Sequence, residues 1–281
     1  MTVVMIGVGT DKTNSGPYPT VYEDGTFEYI PIPESQDSGE TRTYGSVARR
    51  PQDARLVEAK EGDECLADAL DEIRPSPDAA TRTGTELESH PLHHDPNFST
   101  LTYGEVKANN KNQLIQLDAA EDDVVAFYTG LAVQSSNTPH RYIIGYFTLN
   151  ETIDFTTLLP ENPPLNDEGR VPVSALPDNS RHAVEEKLEA NPANAHAKRY
   201  QASGTIDPNL LIVDGTTPGG LVETAYPVSQ TVPGGHAFTQ KVEDKLNVLT
   251  TASHRETGFL GGFKKPHRFD LSGSEFISIV S

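Results

Sequence analysis

The residues best equipped for chemistry fall in His90–Thr100, HPLHHDPNFST, where His93, His94 and Asp95 follow His90. Imidazole and carboxylate groups carry protons near neutrality or ligate metals. His93 and Asp95, joined by a distant histidine such as His196, His236 or His254, have the make-up of a two-histidine, one-carboxylate facial triad. The same His-Asp-Pro is equally a turn, because a residue before proline is driven to extended backbone. Adjacent histidines without a helix or strand spacing do not define a coordination sphere, so no metal is assigned and the residues name no cofactor. A second candidate acid is Asp11, in GVGTDKTNSGP directly after an apolar run. Beside it Ser15 and Gly16 suit an anion-binding nest, and an Asx-type turn leading into Pro17 explains the segment equally well. The loop lacks the GK[ST] of a P-loop, and its glycines do not follow G-x-G-x-x-G.

Phosphate chemistry points to the C-terminal part. His254, Arg255, Lys264, Lys265, His267 and Arg268 fall between positions 254 and 268, interleaved with Phe259, Phe263 and Phe269. Basic residues beside aromatics serve backbone-and-base recognition; the alternative is pairing with an acidic surface, which contributes little. The chain carries 41 acidic against 22 basic residues, a formal charge of -19, which makes this local inversion informative. Arg199, with His196, Lys198 and Tyr200, forms a smaller basic cluster. The global charge argues against indiscriminate nucleic-acid binding, which needs a Lys/Arg surface, but in molar salt that counterion effect fades and local basic patches carry the argument. The same charge suits a salt-adapted, halophilic and archaeal-like protein, since such a surface repels itself unless screened. Cys65 is the only cysteine, which excludes an intrachain disulfide and a cysteine zinc ribbon. Neither G-x-S-x-G, H-E-x-x-H nor the zinc-deaminase signature occurs.

These side chains need a scaffold, and the clearest one is Asp122–Phe155. Its runs Val124–Tyr128 and Tyr142–Leu149 are β-branched and aromatic, as paired strands require. Phe127, Tyr128 and Tyr146 offer stacking faces for a base, and His140 and Arg141 offer polar contacts to its edge. Plain sheet packing explains the aromatics equally well. Gly145 inside a strand marks either close approach or a bulge. Thr2–Val8 predicts a first strand rather than a signal peptide. Asp63–Ile73 and the stretch from Asn179 or Ser180 to Ala190 have helical spacing; Leu158–Leu176 is expected as extended loop and Phe276–Val280 as a terminal strand. Residues 36–88 read as a loop insertion. No run approaches the roughly 20 apolar residues of a membrane helix, and a cytoplasmic protein is expected.

Taken in order, several segments resemble one prokaryotic and phage family, the nucleotide-modification-associated domain 3 family. They are the opening strand with Asp11, Ser15, Gly16, Pro17 and Pro19, then EDGTFEYIPIPES, HHDPNF, DDVVAFYTG, HRYIIGYF, AHAKRY and GFLGGF. The resemblance spans the whole chain as a single domain, 1–281, and implies a role in a nucleic-acid base modification system. Asp122–Phe155 also resembles EVE and related PUA-like domains, which implies a small barrel gripping a flipped or modified base. The expected fold is therefore α+β: a mixed, strongly curled sheet or PUA-like β-barrel core with short flanking helices and long loops. The expected function is to act on or handle a modified base or nucleotide. A non-catalytic reader of modified bases and an interaction or scaffold protein are the alternatives. Expected partners are nucleic acid or a nucleotide, with other enzymes of a modification or defence system. As an enzyme, it would hold a base near Tyr128 and His140, with Asp11 or His93 and Asp95 in the same cleft.

Overall fold

The computed structural model describes residues 2–10, 18–49, 56–70, 72–73, 82–83, 85–134, 139–232, 235–249 and 266–281. The β-branched and aromatic runs become strands, and the capped amphipathic stretches become helices. In chain order the first half has β1 (Val3–Gly7), β2 (Thr20–Val21), β3 (Glu72–Ile73), β4 (Arg82–Thr83), α1 (Thr85–Ser89), β5 (Thr102–Glu105), α2 (Ala108–Leu114), β6 (Val124–Val133) and β7 (Pro139–Asp154). The second half has β8 (Val171–Pro172), α3 (Asp178–Glu189), α4 (Ala195–Ser203), β9 (Thr205–Ile206), β10 (Leu211–Pro227), β11 (Ser229–Val232) and β12 (Gly235–Phe238). It ends with α5 (Gln240–Leu246), β13 (Val248–Leu249), β14 (His267–Phe269) and α6 (Gly273–Val280).

One mixed sheet dominates, in the order β13-β14-β1-β6-β7-β10-β5, with β2 on the far part of β6. β1 runs parallel to β6, Val3 facing Val124 and Gly7 facing Tyr128. β6 and β7 pair antiparallel from Val124–Thr148 to Ala132–Pro139. The α+β expectation is met. The barrel is not: the described sheet follows an open path, with β13 at one end and β5 at the other, and these ends do not pair. The physical reason is that β6, the expected barrel wall, is an interior strand covered on both edges, so closure would have to come from distant end strands that carry only two and four residues. The EVE/PUA-like resemblance therefore has no support in the topology.

Side chains alternate across β6, and each face has its own cover. Phe127 meets Phe98, Tyr103 and Phe147 edge-on at ring-centroid distances of 5.5, 5.3 and 4.6 Å. On the opposite face Tyr128 lies 6.2 Å from His267, and Tyr146 lies 6.1 Å from Phe276 of α6. Gly145 is explained by packing, because a Cβ there would sit 2.4 Å from the Phe98 ring and 2.6 Å from the Gly220 carbonyl oxygen. A register shift also falls at this point, with Phe127 facing Gly145 and Tyr128 facing Ile143.

Three local expectations change. Phe276–Val280 is helical, opened by a capping box in which Ser272 Oγ accepts from the Glu275 amide and Glu275 Oε2 accepts from the Ser272 amide. Asp63–Ile73 holds only a 3-10 turn, Leu66–Ala69, and then β3, since the run is too short to sustain a helix against its pairing with β4. Leu158–Leu176 contains β8 and a 3-10 turn, Val173–Ala175. Within 36–88, Tyr44, Val47, Leu66, Leu70 and Leu87 form a buried cluster with Ile30 and Leu92. Helix α3 begins and ends within about two residues of its expected bounds.

Candidate functional site

Stretch 90–97 is held in place by its neighbours. Glu34 N–H donates to Pro91 O at 2.9 Å, His93 N–H donates to Ile32 O at 2.9 Å, and Leu92 N–H donates to Arg42 O at 3.0 Å. Asn97 and Thr102 then exchange backbone bonds of 2.8 and 3.2 Å, which lays the stretch against the start of β5. Helix α4 comes in from the other side. Asn194 is its cap, accepting from the His196 amide at 2.9 Å while its own amide group donates to Thr102 Oγ1 at 3.0 Å. One side chain thus starts the helix and fixes it to the sheet. His196 and Arg199, three residues apart on one helical face, are both aimed at stretch 90–97.

The result is a buried convergence of three groups. Asp95 Oδ2 lies 3.7 Å from His93 Nε2 and 3.5 Å from His196 Nε2. The imidazole rings stand edge-on, with centroids 5.5 Å apart. All three side chains are buried, and their ligand atoms lie within 4.8 Å of one another. The floor is the backbone of β5, where Gly104 N–H donates to Asp95 Oδ1 and Oδ2 at 2.9 and 3.0 Å. Any larger residue would fill the space: a Cβ on Gly104 would sit 2.2 Å from His196 Cδ2 and 3.2 Å from Asp95 Oδ2.

A surrounding ion pair orients the site. Arg199 donates twice to Glu34 Oε1, from Nε at 3.0 Å and from Nη2 at 2.6 Å. Glu34 Oε2 lies 3.0 Å from His93 Nδ1, so a carboxylate acceptor favours the tautomer protonated at Nδ1. Arg199 Nη2 is also 3.1 Å from that nitrogen, and between the two neighbours it is the Glu34 carboxylate, able only to accept, that favours the proton on Nδ1. Burial opposes ionisation of Glu34, yet the bond from His93 and the Arg199 charge hold its carboxyl at about 2. Burial drives His93 below the ordinary imidazole value despite Glu34. Burial and then the Arg199 charge push His196 down to about 3. Burial also raises Asp95 to about 7, against the opposing effects of His93 and of the Gly104 bond. The site therefore presents two neutral imidazoles to a carboxyl group that resists carrying charge alone.

The other expected site residues are distributed differently. His94 is buried and is not part of the convergence; burial and then Arg42 lower it to about 3, and its Nδ1 has no hydrogen-bond partner among the described residues. Of the distant histidines considered, His196 completes the convergence. His236 instead meets His140 at 5.9 Å, and His254 lies outside the described residues. Phe127, Tyr128, Tyr146 and Arg141 are all buried. Phe127 shares its face with Phe98 and Tyr103, next to the centre, whereas Tyr128 and Tyr146 face the opposite side. The structure does not bring Tyr128 into one cleft with His93 and Asp95. Arg199 is engaged by Glu34, and Arg268 donates to Gln116 Oε1 at 2.5 Å. Asp11, Ser15, Gly16, Arg255, Lys264 and Lys265 lie outside the described residues.

Glu34 is the site residue that sequence reasoning missed. Nothing in IPIPES distinguishes it, because its partner is 165 positions away. The signal available for His196 was its place just after an Asn cap, three residues before Arg199.

A family model described as nucleotide modification associated domain 3 matches residues 2–278. No curated protein and no solved structure matches the chain. No helix among the described residues is long and apolar enough to cross a membrane.

Proposed function

The chain belongs to the nucleotide modification associated domain 3 family, and on that premise we propose that it is an enzyme acting on a base or nucleotide, with His93, Asp95 and His196 as its catalytic centre. Membership ties it to a nucleotide modification system. The catalytic reading is carried by one observation: three buried polar side chains face each other at 3.5 and 3.7 Å without hydrogen bonds between them. A fold built only for stability would satisfy such groups or replace them with apolar ones. Perturbed titratable groups held in this way by a second layer of polar partners are characteristic of functional sites. Phosphate recognition is assigned from composition to the basic stretch with His254, Arg255, Lys264, Lys265 and Arg268.

A second reading rests on a separate observation. A cavity of about 460 Å³ is lined by Tyr18, Tyr22, Glu28, Arg49 and Gln134, among others. Its volume suits a base or nucleoside, and its aromatic and charged lining suits a non-catalytic reader. The two readings separate by mass spectrometry of nucleosides from cells carrying the wild-type gene, the deletion, or Asp95→Asn. Loss of the same modified nucleoside in the deletion and in Asp95→Asn is expected for the enzyme. Unchanged nucleosides in the deletion overturn it, and oligonucleotide binding lost in Arg49→Ala then supports the reader.

A further inference from the structure

We propose that His93 Nε2, Asp95 Oδ2 and His196 Nε2 bind one divalent first-row transition metal ion, with coordination positions left open for a substrate or water. The inference deepens the catalytic reading above and rests on it only for the site's purpose.

The spacing is that of shared ligands. At 3.5 and 3.7 Å the carboxylate oxygen is too far from either imidazole nitrogen to hydrogen-bond with it. Ligand atoms bound to one zinc-sized ion at about 2.1 Å stand about 3.4 Å apart in a tetrahedral arrangement. The ion therefore fits among the three atoms with only small side-chain adjustments.

Two of the three ligands are presented in the required state. With Nδ1 hydrogen-bonded to Glu34, His93 turns a lone pair at Nε2 towards Asp95. A carboxylate on the far nitrogen of a ligating histidine fixes its tautomer and raises its basicity. Asp95 receives hydrogen bonds only from Gly104 among the described residues. Oδ2 keeps lone-pair capacity for a metal, since a carboxylate has about four acceptor sites.

Ligand chemistry and space agree. The ligand set of two imidazoles and a carboxylate selects iron(II), zinc, manganese or cobalt over calcium and magnesium, which prefer all-oxygen surroundings. The space exists because residue 104 is glycine, and the backbone of β5 closes it from below. Among the described residues, this is the one group of three histidine, cysteine or carboxylate side chains whose ligand atoms lie within 4.8 Å of one another.

The test uses the full chain, stripped with a chelator and titrated with Co(II) alone in high salt. Visible d–d absorption saturating at one equivalent is expected, with displacement by Zn(II). His196→Gln and Asp95→Asn should each weaken Co(II) binding at least about 100-fold while leaving the near-ultraviolet circular dichroism of the metal-free protein unchanged. If either variant fails to fold, the wild-type chain still decides the matter through hydrogen–deuterium exchange. One equivalent of Co(II) should then protect stretch 90–97 and the first turn of α4, and protection elsewhere alone overturns the proposal. Absence of stoichiometric binding by folded wild-type protein to Co(II), Zn(II), Mn(II) and anaerobic Fe(II) overturns it as well. Metal binding with unchanged cellular nucleosides would leave this site standing and remove the catalytic reading, so the two fail separately.

Discussion

The two faces of β6 solve opposite problems with neighbouring residues. Towards α6 lie Tyr128 and Tyr146, covered by His267 and Phe276, a face held by apolar burial. Towards stretch 90–97 lies Phe127, and just beyond its aromatic neighbours Phe98 and Tyr103 sit Asp95, His93, His196, Glu34 and Arg199, all buried. Apolar packing is non-directional and tolerates approximate shape. A buried polar cluster is stable only when every member is placed, because an unmatched charge costs several kcal/mol. The difference separates two jobs: the aromatic strands supply a rigid wall, and the proposed centre stands on the edge of that wall.

The largest expected effect tests the wall. Phe127→Ala should lower stability by about 3–5 kcal/mol, read by chemical denaturation, since the ring is fully buried among three others. A loss below about 1 kcal/mol would mean that this face is not the core. Glu34→Gln should cost about 3 kcal/mol by stranding the Arg199 charge, and Glu34→Gln with Arg199→Met should recover much of that loss. Additive losses in the double variant would contradict the buried pair.

Two glycines then sharpen the contrast. Gly104→Ala and Gly145→Ala each insert a methyl into filled space and should each cost about 1–3 kcal/mol. Only Gly104→Ala pushes on His196, so it alone should abolish Co(II) binding. Equal effects of the two on binding would show that the contact with His196 is not decisive.

The smallest effect lies at the rim. Glu40 takes Lys198 of α4 at 2.7 Å and Arg42 at 2.9 Å. Burial opposes its ionisation, but those bonds hold its carboxyl at about 2 rather than 4.5. A depressed carboxyl contributes stability that is complete above about 4.5 and lost as pH falls towards 2. Glu40→Gln should therefore destabilise by about 1 kcal/mol at pH 7 and narrow the gap from wild type on acidification. A gap that widens between pH 5 and 2 would refute the assignment.

Local patterns in the sequence carried much of the fold. The strand pair β6–β7 was legible from Val, Ile, Phe and Tyr at strand spacing, and so was β1. The terminal helix was misread as a strand because FISIV, taken alone, fits either state. The discriminator is the Ser272–Glu275 capping box immediately before it. The barrel was an inference from one hairpin, and hairpins do not specify closure. At the site, His93 and Asp95 were legible from residue type. The choice of His196 over His236 was not, since it depends on how α4 docks through Asn194 on Thr102. Arg199 was assigned to phosphate because a sequence shows a free charge where the fold shows a committed one. Which face Tyr128 occupies turns on strand register, which no local pattern states.

The pair between Glu34 and Arg199 has a kinetic consequence. It joins residues 165 positions apart, and between them His93 and Asp95 come from a third region of the chain while His196 shares α4 with Arg199. Loop closure over such a distance is among the last steps available to a folding chain. The centre therefore comes into being only when the N-terminal arm, stretch 90–97 and α4 have all docked. An ion held there would favour the completed topology over every partly assembled form by mass action. A single backbone cut anywhere between Glu34 and Arg199 would turn an intramolecular closure into an association of two fragments, and the centre would then form in proportion to fragment concentration.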